Sequence, residues 1–197
     1  MRVSTVRKQI PYNLRAKYIS FSRLDMEIRK QPCYSSCTLK LVYIDMIIAQ
    51  RKGGLMKETL KPGLDFEFAY QVPENKTVPH LYPEASDFLV MPKVFATGFM
   101  VGLIEWACIQ FLTPHLDWPN EQSVGIGINV NHTAATPPGM TVTVKGTLDA
   151  VEGKKLTFSI SAHDGMDQIT KGIHERFVID AAKFNGKLNE KISKAGV

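Results

Sequence analysis

From Leu64 to Val72 apolar and polar positions alternate, with Leu64, Phe66, Phe68, Tyr70 and Val72 on one parity and Asp65, Glu67, Ala69 and Gln71 on the other. A period of two with one apolar parity predicts a half-buried strand. Residues 73–93 break the pattern with Pro73, Pro79, Pro83 and Pro92 among charged residues, which predicts a long irregular connection. Long connections in compact domains often line sites. From Val94 to Leu116 the chain is apolar on nearly every side, and this predicts a central buried helix. Alternation then returns four times. Val124, Ile126, Ile128 and Val130 share one parity, as do Met140, Val142, Val144 and Leu148, then Leu156, Phe158, Ile160 and Ala162, then Ile169, Ile173, Phe177 and Ile179. The segments between them carry turn residues: Pro137-Pro138-Gly139, Glu152-Gly153 and Asp164-Gly165. Strand, long helix and four strands in that order predict an α+β domain, an antiparallel meander wrapped on one helix.

Composition adds a boundary. The net charge of +5 divides into 11 Lys and Arg against 3 Asp and Glu over residues 1–55, a net of +8, and 13 against 16 over residues 56–197, a net of −3. The basic character belongs to the first segment, so the remainder lacks the clustered basic footprint of a nucleic-acid binder. The first segment also lacks a clear period and ends in Gly53-Gly54 ahead of Met56. Arg-Lys-Gly-Gly-Leu-Met at 51–56 is encodable by a purine-rich run resembling a ribosome-binding site before an ATG. The expectation is a basic extension over 1–55, with Met56 as the natural start, a folded domain over 56–190 and a tail over 191–197. A basic tail that binds a partner is the rival reading. Cys33, Cys37 and Cys108 are too few for a disulfide framework, and Cys33-x3-Cys37 has no second pair with zinc-ligand spacing. Asp45 interrupts the apolar run from Leu41 to Ala49, so no export signal is read, and Thr97, Gly98, Glu105 and Gln110 interrupt the helix as a membrane span. A reducing cytoplasm, no membrane, no metal and no cofactor are expected.

Three side chains stand out chemically. Glu105 lies within the apolar helix, where a carboxylate is expected to be buried and to need a partner. Thr97 lies eight residues earlier, about two turns up the helix and about 80° around it. It suits an N-cap, and it also suits a role beside the free amides of a helix N-terminus. His132 continues the parity of Val124 to Val130 and is expected to face the helix, where a His and a carboxylate can act as acid and base. His174 and Arg176 fall on the parity opposite Ile173 and Phe177, so they are expected to face solvent or another subunit. Gly125 and Gly127 do not make a dinucleotide fingerprint, because the third position is Val130.

These residues sit in familiar runs: Lys76-Thr77-Val78 with Leu81-Tyr82-Pro83-Glu84, Val94 to Leu103 with Glu105-Trp106-Ala107-Cys108, His132 to Gly139, Ala162-His163-Asp164-Gly165, and His174-Glu175-Arg176. Over residues 57–187 the chain resembles the fluoroacetyl-CoA thioesterase-like family of hot-dog proteins. The resemblance implies a hot-dog fold, a five-stranded antiparallel sheet around one long helix, and a homodimer with sites at the seam. It also implies hydrolysis of an acyl-CoA thioester, with Thr97, Glu105 and His132 as the catalytic set. Gly125 would place backbone near the thioester and Arg176 would support the site. In fluoroacetate-resistance members aromatic residues of the loop before the helix cover the acyl pocket. Phe88 matches one of them, while Met91 stands before Pro92 and seals less rigidly than a ring. A small acyl-CoA is therefore the expected substrate. Two rival classes remain: an enoyl-thioester hydratase or dehydratase, and a non-catalytic acyl-CoA binder.

Overall fold

The computed structural model describes residues 56–197. The expectations for residues 1–55, with Cys33 and Cys37, lie outside the described residues. Five antiparallel strands form one sheet: β1 (Asp65–Gln71), β2 (Glu121–Val130), β3 (Thr141–Glu152), β4 (Lys155–His163) and β5 (Gln168–Asp180). Their order is β1-β3-β4-β5-β2, which leaves β1 and β2 as the edges. The sheet wraps on the long helix α2 (Thr97–Leu112), which follows a short helix α1 (Ser86–Leu89), and the chain closes with α3 (Ala181–Ala195). This is the expected hot-dog arrangement. The helix α3 runs past residue 191, where a tail was expected, and none of its residues is buried.

The core is the seam between α2 and the inner sheet face. Met100, Leu103, Ile104, Ala107, Cys108 and Leu112 pack against Val142, Val144, Leu148, Leu156, Phe158 and Ile160, all buried. The aromatic rings of Phe66, Phe111 and Phe158 interlock, with centroids 4.9 to 6.0 Å apart. The alternation read for β1, β3 and β4 matches their burial, because each has one face on the helix and one in solvent.

Three expectations are corrected. The helix is shorter than Val94–Leu116: the Phe95 amide is bonded to the Thr136 carbonyl at 2.8 Å, and beyond Leu112 the chain tightens into a 3-10 turn over Thr113–His115 that contains Pro114. The helix is not enclosed on every side either, since Gly98, Gly102, Trp106 and Gln110, at i, i+4, i+8 and i+12, form one exposed stripe. The third correction concerns parity in β2 and β5. A bulge between Gly125 and Gly127 shifts the β2–β5 register, and a second irregularity adjoins the start of β5. As a result Ile173 is 49% exposed and Phe177 37%, while His174 and Arg176 are each 1% exposed and face the helix. Val124, paired with Phe177, lies on the outer face with it.

Gly146 of β3 leaves room for the Phe66 ring: a Cβ there would overlap that ring and lie 2.9 Å from Ile160 Cδ1. Phe66 stacks on Phe111 and meets Phe158 edge-on, so a shift of its ring would disturb both contacts. Gly146→Ala is expected to lower stability by about 1–3 kcal/mol, read as a fall in the urea midpoint at unchanged slope. An unchanged midpoint would show that the ring cluster yields.

Candidate active site

Two groups of polar side chains lie along α2. The first is at its N-terminus. Ala96 is the N-cap residue and Thr97 the first helical residue, so the hydroxyl of Thr97 is not used as a cap. It is hydrogen-bonded to His132 Nδ1 at 2.8 Å. His132 lies two residues beyond β2, yet its neighbours keep pairing with β5: the Asn131 amide donates to the Lys171 carbonyl at 3.2 Å and the Thr133 amide to the Ile169 carbonyl at 2.9 Å. The imidazole is therefore held as though the strand continued, and it faces the helix as expected. Its Nε2 is buried and has no hydrogen-bond partner. Burial holds the His132 pKa below the ordinary imidazole value. A cleft of about 310 Å³ adjoins the pair, lined by Val78, Val94, Phe95, Thr97 and His132 to Ala135. The first amides of a helix have no intrahelical acceptor, so those of Thr97 and its neighbours are available to an oxygen placed in this cleft.

A network that the sequence reading missed fixes the start of α2. Phe95 is tied to Thr136, and the buried Thr136 hydroxyl donates to Asp164 Oδ2 at 2.9 Å. Asp164 Oδ1 accepts from the amides of Met166 and Asp167 at 3.0 and 2.9 Å. Burial opposes ionisation of Asp164, but these three donated bonds prevail and hold its carboxyl below the usual range. The Asp-Gly turn at 164–165 was legible as a turn; its carboxylate as the anchor of a helix start was not.

The second group surrounds Glu105, about 12 Å further along the helix axis at 1.5 Å per residue. Glu105 is not buried: 43% of its side chain is exposed. It flanks β2, an edge strand that has a neighbour on one side only. Its Oε1 lies 3.9 Å from Arg176 Nη1. A Cβ on Gly125 would collide with this carboxylate and lie 3.3 Å from His174 Cε1, so the glycine gives Glu105 its place against the strand. Beneath it the Arg176 guanidinium donates from Nε to Ser123 Oγ at 3.0 Å and from Nη2 to the Ser123 carbonyl at 2.7 Å. Its Nη1 meets His174 Nε2 at 3.0 Å. Burial pushes the pKa of the adjacent Cys108 thiol up to about 12, which keeps it a protonated packing group at neutral pH.

Within one chain the structure thus joins Thr97 to His132, and Glu105 to Gly125 and Arg176, but it does not bring the two groups together. Phe88 stacks on Tyr82 with centroids 5.9 Å apart, and Met91 is exposed; neither lines the Thr97–His132 cleft. A depression of about 590 Å³ beside Glu67, Lys145 and Ser161 is on the outer sheet face and holds none of these residues. Among the described residues, no group of three His, Cys, Asp or Glu is placed to hold a metal ion, and no helix is long and apolar enough to cross a membrane.

The profile of the fluoroacetyl-CoA-specific thioesterase family matches residues 72–182. The chain belongs to this family. The fluoroacetyl-CoA thioesterase of Streptantibioticus cattleyicolor is 54% identical over 136 residues, spanning 69% of this chain and 97% of that protein. A solved structure of a fluoroacetyl-CoA thioesterase is similar at 54% identity and a TM-score of 0.65, over 67% of this chain and 97% of that one. A variant of such an enzyme crystallised with fluoroacetate and CoA gives 54% identity and a TM-score of 0.62, over 64% and 99% of the two chains. More distantly, a Thermus thermophilus thioesterase superfamily member is 26% identical with a TM-score of 0.60, over 69% and 96%.

Burial also lowers the pKa of His115 and His174. With His132, these residues bind protons less readily when folded than when unfolded, so acid favours the unfolded chain as pH falls below about 6.5. The urea midpoint is expected to drop between pH 7.5 and pH 5.5, a window above that in which Asp164 titrates. A flat midpoint across that range would refute burial of these imidazoles as neutral groups.

Proposed function

We propose that this chain is an acyl-CoA thioesterase that hydrolyses short acyl-CoA thioesters to the free acid and CoA. The observation that carries the reading is the 2.8 Å hydrogen bond between Thr97 and His132 Nδ1 at the N-terminus of α2, which leaves His132 Nε2 without a partner. The thioester carbonyl sits against the Thr97 hydroxyl and the free amides of the first turn, where negative charge on its oxygen is stabilised. Either Glu105 attacks the carbonyl carbon, the carbon–sulfur bond breaks as the Glu105–acyl anhydride forms, and water then opens the anhydride, or Glu105 takes the proton of an attacking water and the carbon–sulfur bond breaks from the resulting adduct. In both routes the water supplies the proton that His132 passes to the departing CoA thiolate. Arg176 supports the ionised carboxylate, and Gly125 keeps the space beside it open. No cofactor or metal enters this chemistry.

Two copies are needed to assemble the set, because Thr97 and Glu105 lie about two helical turns apart in one chain. The free edge of β2, with Ile126 51% exposed, and the open stripe of Gly98, Gly102 and Trp106 supply the surface of such a homodimer. Joined there, one subunit's Glu105 approaches the partner copy's thioester cleft. Phe88, in α1, and Met91, just after it, stand outside the cleft of their own chain and are assigned to the acyl end of a pocket that the second copy completes. The flexible thioether of Met91 seals that end loosely, which favours the broad class of small acyl groups over fluoroacetyl alone. Acyl-CoA substrates and the free Cys108 thiol support a cytoplasmic location, and no nucleic-acid or membrane partner is assigned.

The test is release of free CoA thiol by the purified chain from acetyl-CoA and fluoroacetyl-CoA side by side. Thiol from either supports the thioesterase, whereas water addition to an enoyl-CoA without thiol release would favour a hydratase. Ligand retention without turnover would indicate a binder. Glu105→Gln is expected to keep the melting temperature and lose turnover, and near-normal rates would remove Glu105 from the mechanism. For His132→Ala we expect a fall of about 10²–10⁴-fold in kcat; full retention would leave His132 a packing residue.

A further inference from the structure

His174 has no place in the mechanism above, yet it is a fully buried imidazole with both ring nitrogens engaged. Its Nε2 lies 3.0 Å from Arg176 Nη1, and its Nδ1 lies 2.9 Å from the Gly127 carbonyl oxygen. An arginine nitrogen can only donate, so Nε2 must be the unprotonated acceptor. The ring proton therefore sits on Nδ1 and is donated to Gly127. One neutral tautomer satisfies both contacts, and no other state does. The bond to Gly127 clamps the distal side of the bulge whose proximal side, Gly125, lies against the Glu105 carboxylate. The bond to Arg176 fixes the nitrogen that faces Glu105 Oε1.

We infer that His174 is a positioning residue: in its neutral Nδ1–H form it holds the Gly125–Gly127 bulge and the Arg176 guanidinium in register, and through them the Glu105 carboxylate. The inference rests on the assignment of Glu105 to catalysis. The charged groups that act on the ring are Arg176 on its own strand and Glu105 on α2; from β2 the ring meets Gly125 and the Gly127 carbonyl and pairs with Ile128, and from β4 the cross-strand partner is Phe158. A proton added at Nε2 would remove the acceptor for Arg176 and set an imidazolium against a guanidinium. Burial and Arg176 both oppose that proton. When acid forces it on, Arg176 is released, and the support of Glu105 goes with it.

The experiment compares His174→Leu and His174→Gln with the unaltered chain, with Glu105→Gln in parallel. Leucine can make neither bond, and kcat is expected to fall by up to about 10²-fold, as for a displaced catalytic group, with KM changed less than twofold. Glutamine can accept from Arg176 through its carbonyl and donate to Gly127 through its amide. It is expected to restore most of the turnover and to move the acid limb of the kcat–pH profile to lower pH, because it does not titrate. Every other ionisable group is common to both proteins, so the difference between the two profiles isolates position 174. Ring ¹⁵N spectra of the unaltered chain are expected to show His174 as the Nδ1–H tautomer from pH 6 to 8. An Nε2–H tautomer would overturn the inference even if His174→Leu does not fold. So would a folded His174→Leu with unchanged kcat, or a His174→Gln profile superimposable on the parent's. If Glu105→Gln is itself active, the reading of the site fails instead, and the spectra still report the clamp.

Discussion

A guanidinium that is always charged lies under the seam between α2 and the sheet, and its satisfaction organises much of the site around it. Sealing such an ion from water is strongly unfavourable unless each of its nitrogens is paired. Arg176 meets that demand with both oxygens of Ser123, the ring nitrogen of His174 and, at the open end, the Glu105 carboxylate. Each partner comes from a different stretch of chain, so the ion ties β2, β5 and α2 together at one point. A hydrocarbon side chain there would deprive Glu105 of the cation it faces among the described residues.

The same seam carries the rest of the architecture. The helix is apolar over most of its circumference, so the sheet must curve around it, and the remaining stripe of Gly98, Gly102, Trp106 and Gln110 faces outward. At the helix start the demands are polar. Asp164 anchors Thr136, Thr136 anchors Phe95, and two residues later Thr97 meets His132. Site geometry here follows from bonds made well away from the reacting groups.

How legible the sequence was depended on whether polarity and burial agreed. They agree in β1, β3 and β4, where outer positions are polar and inner positions apolar, so alternation alone locates the faces. In β5 they disagree: Ile173 and Phe177 point outward, whereas His174 and Arg176 point inward, and parity assigned by hydrophobicity is inverted. Bulges compound the error, because a single extra residue reverses the parity on its far side. His132 was placed correctly even so, since it lies beyond the bulge on the side whose parity does face the helix. Glu105 was recognised as an anomaly in an apolar helix, but its exposure depends on β2 being an edge strand, and strand order is not written in the periodicity. The resemblance groups Thr97, Glu105 and His132, and the structure of one chain divides them into two clusters along the helix.

The bulge between Gly125 and Gly127 has an implication for chain length. Ile126 is the residue without a cross-strand partner: Gly125 faces Arg176 and Gly127 faces Glu175, consecutive positions on β5. A strand lacking Ile126 would pair as an unbroken ladder with Gly125, Ile128 and Val130 on the same faces as now. The edge strand thus contains a slack joint, a point where one residue can be gained or lost while Gly125 on one side and His132 on the other keep their orientation. Counting residues from the helix to the histidine is consequently a poor ruler for this fold, whereas counting rungs along β5 is a faithful one.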